Sequence, residues 1–230
     1  MAELPERNLA LDIVRVTEAA ALAAGRWMGR GDKVAADKAA VDAMRLVLNT
    51  IEMDGIIVIG EGEKDEAPML FNGERLGTGS PPLVDIAVDP IDGTTLTATG
   101  RSGALSVVAL APRGAMVSPG KLVYMEKIAV GPDAVGHIDI NAPVAANLKA
   151  VAQAKHRDVD DLTVMILDRP RHGELIKQVR EAGARIRLIL DGDVAAAVST
   201  CIEDTGIDLL VGVGGSPEAV ATACALKCLG

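Results

Sequence analysis

From residue 144 to the last residue, short apolar runs and amphipathic stretches take turns along the chain, and this alternation constrains the fold more than any other feature. Helical spacing marks 144–155, 174–182, 194–203 and 217–229, and short, mainly apolar stretches between them mark strands at 162–167, 185–190 and 207–212. Elements of these lengths in this order predict βαβ units around a parallel sheet. In such a layer the loops after the carboxyl ends of the strands gather on one edge and form the ligand crevice.

The first half has a different rhythm. Leu9, Ile13, Val16, Ala20, Ala23 and Trp27 recur at helical spacing over 8–30, and Gly31-Asp32 then breaks the pattern and offers an N-cap. A second helix is expected over 33–53, with Val41, Met44, Leu48 and Ile51 on one stripe and Gly55 closing it. Strands follow at 56–59, 83–88, 104–111 and 121–130, joined by Pro/Gly punctuation, which reads as a largely antiparallel sheet. The expected class is therefore α/β, with an α+β first half and a parallel βαβ second half, divided into domains 1–142 and 143–230.

Composition closes off several functions. A net charge of −9 opposes binding to nucleic acid or an anionic membrane, and one Trp, one Tyr and one Phe offer no row of stacking platforms. No stretch approaches the roughly 18 apolar residues of a spanning helix, and Met1-Ala2-Glu3-Leu4-Pro5-Glu6 lacks the order of a secretory signal. A cytoplasmic protein is expected, and a homo-oligomer on the base rate for soluble enzymes. Cys201, Cys224 and Cys228 lie in alanine-rich segments and read as small packed hydrophobes.

The chemistry concentrates at strand ends. Asp89-Pro90-Ile91-Asp92-Gly93-Thr94-Thr95 places two carboxylates around a proline-fixed turn, with Gly93 letting backbone N–H groups approach an anion. Taken alone, this is equally an Asp-rich turn. Glu61 and Glu63 follow another strand, and Asp37 projects from a helix interior, so the set suffices for more than one hard cation. Each has an ordinary reading too, as loop acids and as a Lys33–Asp37 ion pair one helical turn apart.

In the second half, three strand ends carry Asp168-Arg169-Pro170-Arg171-His172, Asp191-Gly192-Asp193 and Gly212-Val213-Gly214-Gly215-Ser216-Pro217-Glu218. Paired arginines suit bidentate phosphate binding, and paired Asp suit sugar hydroxyls. The glycine run imitates a dinucleotide fingerprint, but its sixth position is Pro and it sits in the last βα unit of the sequence, without room for the following strand and ribose-binding acid, which argues against NAD.

Together with Gly31-Asp32-Lys33-Val34-Ala35-Ala36-Asp37 and Gly60-Glu61-Gly62-Glu63-Lys64-Asp65-Glu66-Ala67-Pro68-Met69-Leu70, these segments resemble, in order and over essentially the whole chain, the bacterial class II fructose-1,6-bisphosphatases. These belong to the lithium-sensitive, metal-dependent phosphatase superfamily. The resemblance implies a layered αβαβα sugar-phosphatase fold and Mg²⁺- or Mn²⁺-dependent removal of the 1-phosphate from fructose 1,6-bisphosphate, a gluconeogenic step. Sedoheptulose 1,7-bisphosphate is a second implied substrate.

By position, it implies Asp37, Glu61, Asp89, Asp92 and Glu218 as metal carboxylates, with the Ile91 carbonyl. Asp92, Gly93 and Thr94 would cradle the scissile phosphate, and Tyr124, Arg169, Arg171, Asp191, Asp193 and Gly214 would hold the sugar and second phosphate. Asp37, Glu61 and Thr94 are the implied catalytic residues, Thr94 orienting the attacking water. Family members run on past the equivalent of Gly230, so the C-terminal part of the fold is expected to be cut short here. The alternatives are a phosphatase of inositol phosphates or of 3′-phosphoadenosine 5′-phosphate, and a non-catalytic sugar-phosphate-binding module.

Overall fold

A computed structural model of the chain describes residues 8–61 and 70–230, so Glu63 and the rest of the acidic loop 62–69 lie outside the described residues. The chain divides into two compact units, Met1–Val117 and Ser118–Gly230.

In the first unit, α1 (Leu9–Gly25) begins at Asn8, whose side chain accepts from the Ala10 amide. Asp32 caps α2 (Lys33–Leu48) as expected, with Oδ1 accepting from Ala35 N at 2.9 Å. The second helix ends at Leu48 rather than running to residue 53, and Gly55 does not close it. Gly55 lies inside β1 (Asp54–Ile59), where a side chain would collide with Ile86 Cδ1 at 2.4 Å.

The strands β1, β2 (Arg75–Leu76), β3 (Leu83–Asp92) and β4 (Leu105–Pro112) form one sheet in the order β2-β1-β3-β4. It is mixed rather than largely antiparallel, because β1 and β3 run parallel while β2 and β4 are antiparallel to their neighbours. The stripe Ala36, Ala40, Met44 and Leu48 of α2 packs with Val16 and Ala20 of α1 onto Ile57, Val84, Ile86 and Val88. Met44 and Leu48 are fully buried, so truncating either to Ala costs about 2–5 kcal/mol.

Asp85 is buried on the opposite side of β3 and is satisfied structurally. Its Oδ2 accepts from Gly114 N (2.7 Å) and Met116 N (3.1 Å), and its Oδ1 lies 3.6 Å from the Arg113 guanidinium.

The second unit holds β5 (Tyr124–Val130), α4 (Val144–Ala154), β6 (Thr163–Leu167), α5 (Gly173–Glu181), β7 (Arg185–Ile189), α6 (Val194–Ser199), β8 (Leu209–Gly215) and α7 (Ser216–Leu229). Its sheet order is β5-β8-β6-β7, with β6, β7 and β8 parallel as the alternation requires. Strand β5, which the sequence places with the first sheet, pairs antiparallel with β8 instead. The unit boundary accordingly falls upstream of the division expected at 142/143.

Alternate residues feed two cores. Val164, Ile166 and Leu209 face α4 and α5, while Met165 and Leu210 face the alanines of α6. This explains why β6 and the start of β8 are apolar on both faces. Asp208 enters β8 buried, bonded to Thr163 N (2.9 Å), Lys155 Nζ (2.7 Å) and Arg157 Nη1 (3.0 Å), which fastens the end of α4 to the sheet. Of the cysteines, Cys201 follows α6 and is half-buried, and Cys228 is exposed rather than packed.

Candidate active site

In the first unit, the parallel pairing of β1 with β3 brings two acidic strand ends to one edge. The last register pair is Ile59 with Ala87, so Glu61 and Asp89 each stand two residues beyond it. Gly60 permits the chain to leave β1 there, since a Cβ would sit 2.2 Å from the Leu70 carbonyl oxygen. Strand β3 continues through the expected turn as far as Asp92, with an irregular register between Asp89 and Asp92 that re-aims the backbone. Ile91 and Asp92 are buried there.

Gly93 then adopts φ 95°, and α3 (Thr94–Thr99) starts. This helix escapes a sequence reading because its β-branched threonines have poor helix propensity. Tertiary bonds hold it: the amides of Gly29 and Gly31 donate to the carbonyls of Thr97 (2.9 Å) and Ala98 (2.8 Å). The same contacts fix the start of α2 against α3, where Lys33 Nζ donates to Thr95 Oγ1 at 2.8 Å. Lys33 therefore reaches the first turn of α3 rather than closing the alternative ion pair with Asp37.

Thr94 Oγ1 donates to the Ile91 carbonyl at 3.2 Å. Asp37 is half-buried on α2, and burial pushes its carboxyl above the ordinary Asp range. Among the described residues, the one group of three acidic ligand atoms within 4.8 Å of each other is the exposed Asp158, Asp160 and Asp161. The four carboxylates Asp37, Glu61, Asp89 and Asp92 are not gathered that tightly.

In the second unit, the carboxyl ends of β6, β7 and β8 share one edge with the start of β5, Tyr124 lying opposite Gly215. Arg169 Nη2 pairs with Asp191 Oδ1 at 3.2 Å. The Arg171 guanidinium stacks 5.2 Å from the centre of the Tyr124 ring. Asp193 is buried and ion-paired with Lys127 at 2.7 Å, a partner that sequence reasoning missed because Lys127 lies in the middle of an apolar strand.

Gly214 makes room for that pair, since a Cβ would stand 2.0 Å from Asp193 Oδ2. Gly215 does the same for Glu218, whose Oε2 would be 1.8 Å from a Cβ. The glycine run is thus extended strand packed under carboxylates, not a dinucleotide turn. Buried Oδ1 of Asp193 and Oε2 of Glu218 have no hydrogen-bond partner among the described residues. Buried oxygens of this kind suit a hard cation or a polar ligand.

Mixed sheets whose parallel strands end in carboxylates in one unit and in arginine and aspartate pairs in the other define a class, the α/β sugar-phosphatase type of fold. The chain belongs to the family of bacterial, glpX-encoded fructose-1,6-bisphosphatases, whose pattern it matches over residues 7–230. It is 52% identical over 223 residues to the class 2 fructose-1,6-bisphosphatase 1 of Escherichia coli K12, and equally to the class 2 enzyme of Shigella flexneri. These alignments cover 97% of this chain and 66% of each relative, so the chain spans just under two thirds of their length. Among solved structures, an extragenic suppressor from Pyrococcus furiosus shares the fold at TM-score 0.50 and 13% identity, over 96% of this chain and 82% of that one. No helix among the described residues is long and apolar enough to cross a membrane.

Proposed function

We propose that this chain carries the machinery for hydrolysing the 1-phosphate of fructose 1,6-bisphosphate, with sedoheptulose 1,7-bisphosphate as a second substrate. The observation that carries the reading is the pairing of parallel strand ends that puts Glu61 beside Asp89 and leads directly into Asp92, Gly93 and Thr94. The family membership and the relatives' names support the same substrate.

Asp37, Glu61, Asp89, Asp92, the Ile91 carbonyl and Glu218 are the proposed ligands for Mg²⁺ or Mn²⁺. Their chemistry fits: all are oxygen donors, and Glu218 holds a buried oxygen without a hydrogen-bond partner among the described residues. Bound there, such ions supply positive charge that acidifies a water and neutralises oxygens in an in-line displacement.

The chain's own groups do the rest. Thr94 gives its hydroxyl proton to the Ile91 carbonyl, which leaves its lone pairs to accept from a water and so orient it. Asp37, whose carboxyl burial holds above the ordinary Asp range, is the proposed acceptor of that water's proton. Amides at the start of α3 face the transferred phosphoryl oxygens, with Gly93 providing the positive φ that aims them. Arg169, Arg171 and Tyr124 hold the second phosphate, while Asp191, Asp193 and the Gly214 backbone hold the sugar. The family context argues for a cytoplasmic enzyme.

Substituting Asp92→Asn separates enzyme from binding module. Phosphate release should fall about a thousandfold or more while bisphosphate binding persists, because a metal-directed carboxylate acts mainly on the transition state. Retained turnover would remove Asp92 from the chemistry. Faster release from inositol 1-phosphate than from the ketose bisphosphate would favour the inositol-phosphatase reading.

A further inference from the structure

Strand β6 pairs with β8 only as far as Met165 opposite Leu210. Beyond that point both backbone groups of Val213 would lack a neighbour on that side, yet each is satisfied by a side chain from the turn 170–172. Val213 N donates to His172 Nε2 at 2.8 Å, and Val213 O accepts from Arg171 Nε (3.1 Å) and Nη2 (2.8 Å). Two consecutive side chains thus replace the missing strand.

The ring of His172 is buried, and its other nitrogen, Nδ1, lies 2.7 Å from the carbonyl oxygen of Leu167, the last residue of β6. A carbonyl only accepts and an amide N–H only donates, so these partners together fix the neutral ring with its proton on Nδ1. The ring is a rigid strut between the end of β6 and the backbone of Val213. Gly212 makes the strut possible: it has φ 149°, and a Cβ there would lie 3.1 Å from Nε2 and 3.2 Å from Cε1.

The consequence falls on Arg171. Its Nε/Nη2 edge is taken by one carbonyl and its flat face by Tyr124, so the guanidinium is held in one orientation although the side chain is exposed. No protein hydrogen bond from Nη1 exists among the described residues. The Nη1/Nη2 edge is left as a fork of the shape that grips two phosphate oxygens.

We infer that His172 is a positioning residue for Arg171: by fixing Val213 it sets the guanidinium edge that binds the phosphate not being transferred. This rests on the substrate reading proposed above, in which Arg171 holds that phosphate.

The test is calorimetric titration of the full chain, with chelator present to stop turnover, using fructose 1,6-bisphosphate and, as a control lacking the second phosphate, fructose 1-phosphate. Arg171→Ala should weaken the bisphosphate on the order of 30-fold and His172→Ala about tenfold, with the double variant no weaker than Arg171→Ala alone. His172→Gln keeps an acceptor for the Val213 amide and should recover most of the affinity, whereas Gly212→Ala, which pushes the ring away, should lose it. Fructose 1-phosphate should bind all folded variants alike.

Effects of Arg171 and His172 that multiply, or an equal loss for fructose 1-phosphate, would overturn the positioning role. An unsubstituted chain that binds neither sugar overturns the substrate reading itself, and that result is visible before any variant is made. Thermal unfolding identifies a variant that has lost its fold, in which case His172→Gln and Gly212→Ala decide the matter.

Discussion

Lys33 Nζ lies 2.8 Å from Thr95 Oγ1, joining the first turn of α2 to the first turn of α3, just beyond Asp92. The contact fixes a positive charge beside the amides where the scissile phosphate is proposed to sit. It is exposed to solvent, so its contribution to stability is small. Lys33→Ala should therefore lower the rate of phosphate release about tenfold or more while shifting the unfolding free energy by less than about 1 kcal/mol. Steady-state kinetics beside urea unfolding checks both halves of this expectation, and an unaltered rate would make Lys33 a surface tether only.

Asp37 supplies a pH-dependent prediction. Burial raises its carboxyl above the unfolded value, so the folded state binds the proton more tightly. That contribution to stability is fully present below the ordinary Asp range near 3.9 and is lost as pH rises through the higher folded value. In chelator, Asp37→Asn should be more stable than the unsubstituted chain at neutral pH, and the difference should shrink on acidification. Unfolding midpoints compared at acidic and neutral pH measure this, and a difference independent of pH would contradict it.

Asp208 is a structural carboxylate and should behave as one. Asp208→Ala leaves Lys155, Arg157 and the Thr163 amide facing a buried gap, at a cost of about 3–5 kcal/mol. Replacing Arg157, which is partly exposed, should cost distinctly less. Denaturant unfolding of the two variants ranks them directly.

The adjacent glycines of β8 should separate in effect. At Gly214 a methyl would meet Asp193 Oδ2, locked by Lys127, so Gly214→Ala should destabilise by about 1–3 kcal/mol. At Gly215 it would meet the terminal oxygen of Glu218, a flexible side chain that can swing away. Gly215→Ala should leave stability nearly unchanged and raise the metal concentration needed for half-maximal activity. Thermal melts and a metal titration of activity distinguish the two.

The legible parts of the fold were those in which burial is local. Strand β6 and the start of β8 are buried on both faces and announce themselves as apolar runs, while the edge strand β7 shows itself by its place between two helical stretches; together they set Arg169, Asp191 and Glu218 on one edge. Strand β5 was assigned to the wrong sheet because its partner β8 lies far along the chain, and Ile128 and Ala129 look the same against either sheet. Helix α3 was invisible because contacts from Gly29 and Gly31, not its own threonines, hold it together. At the sites, charged residues at strand ends could be read from the sequence. Lys127 under Asp193 and His172 under Val213 could not, since each acts through a partner that only the folded chain supplies.

Inorganic phosphate release from fructose 1,6-bisphosphate tests the proposed metal-dependent hydrolysis of a ketose bisphosphate. The comparison runs with Mg²⁺, with Mn²⁺ and with chelator, beside inositol 1-phosphate and sedoheptulose 1,7-bisphosphate. Release from the two ketose bisphosphates should need a metal and exceed release from inositol 1-phosphate. Release unaffected by chelator, or a folded chain silent on every substrate at every metal concentration, would contradict that expectation.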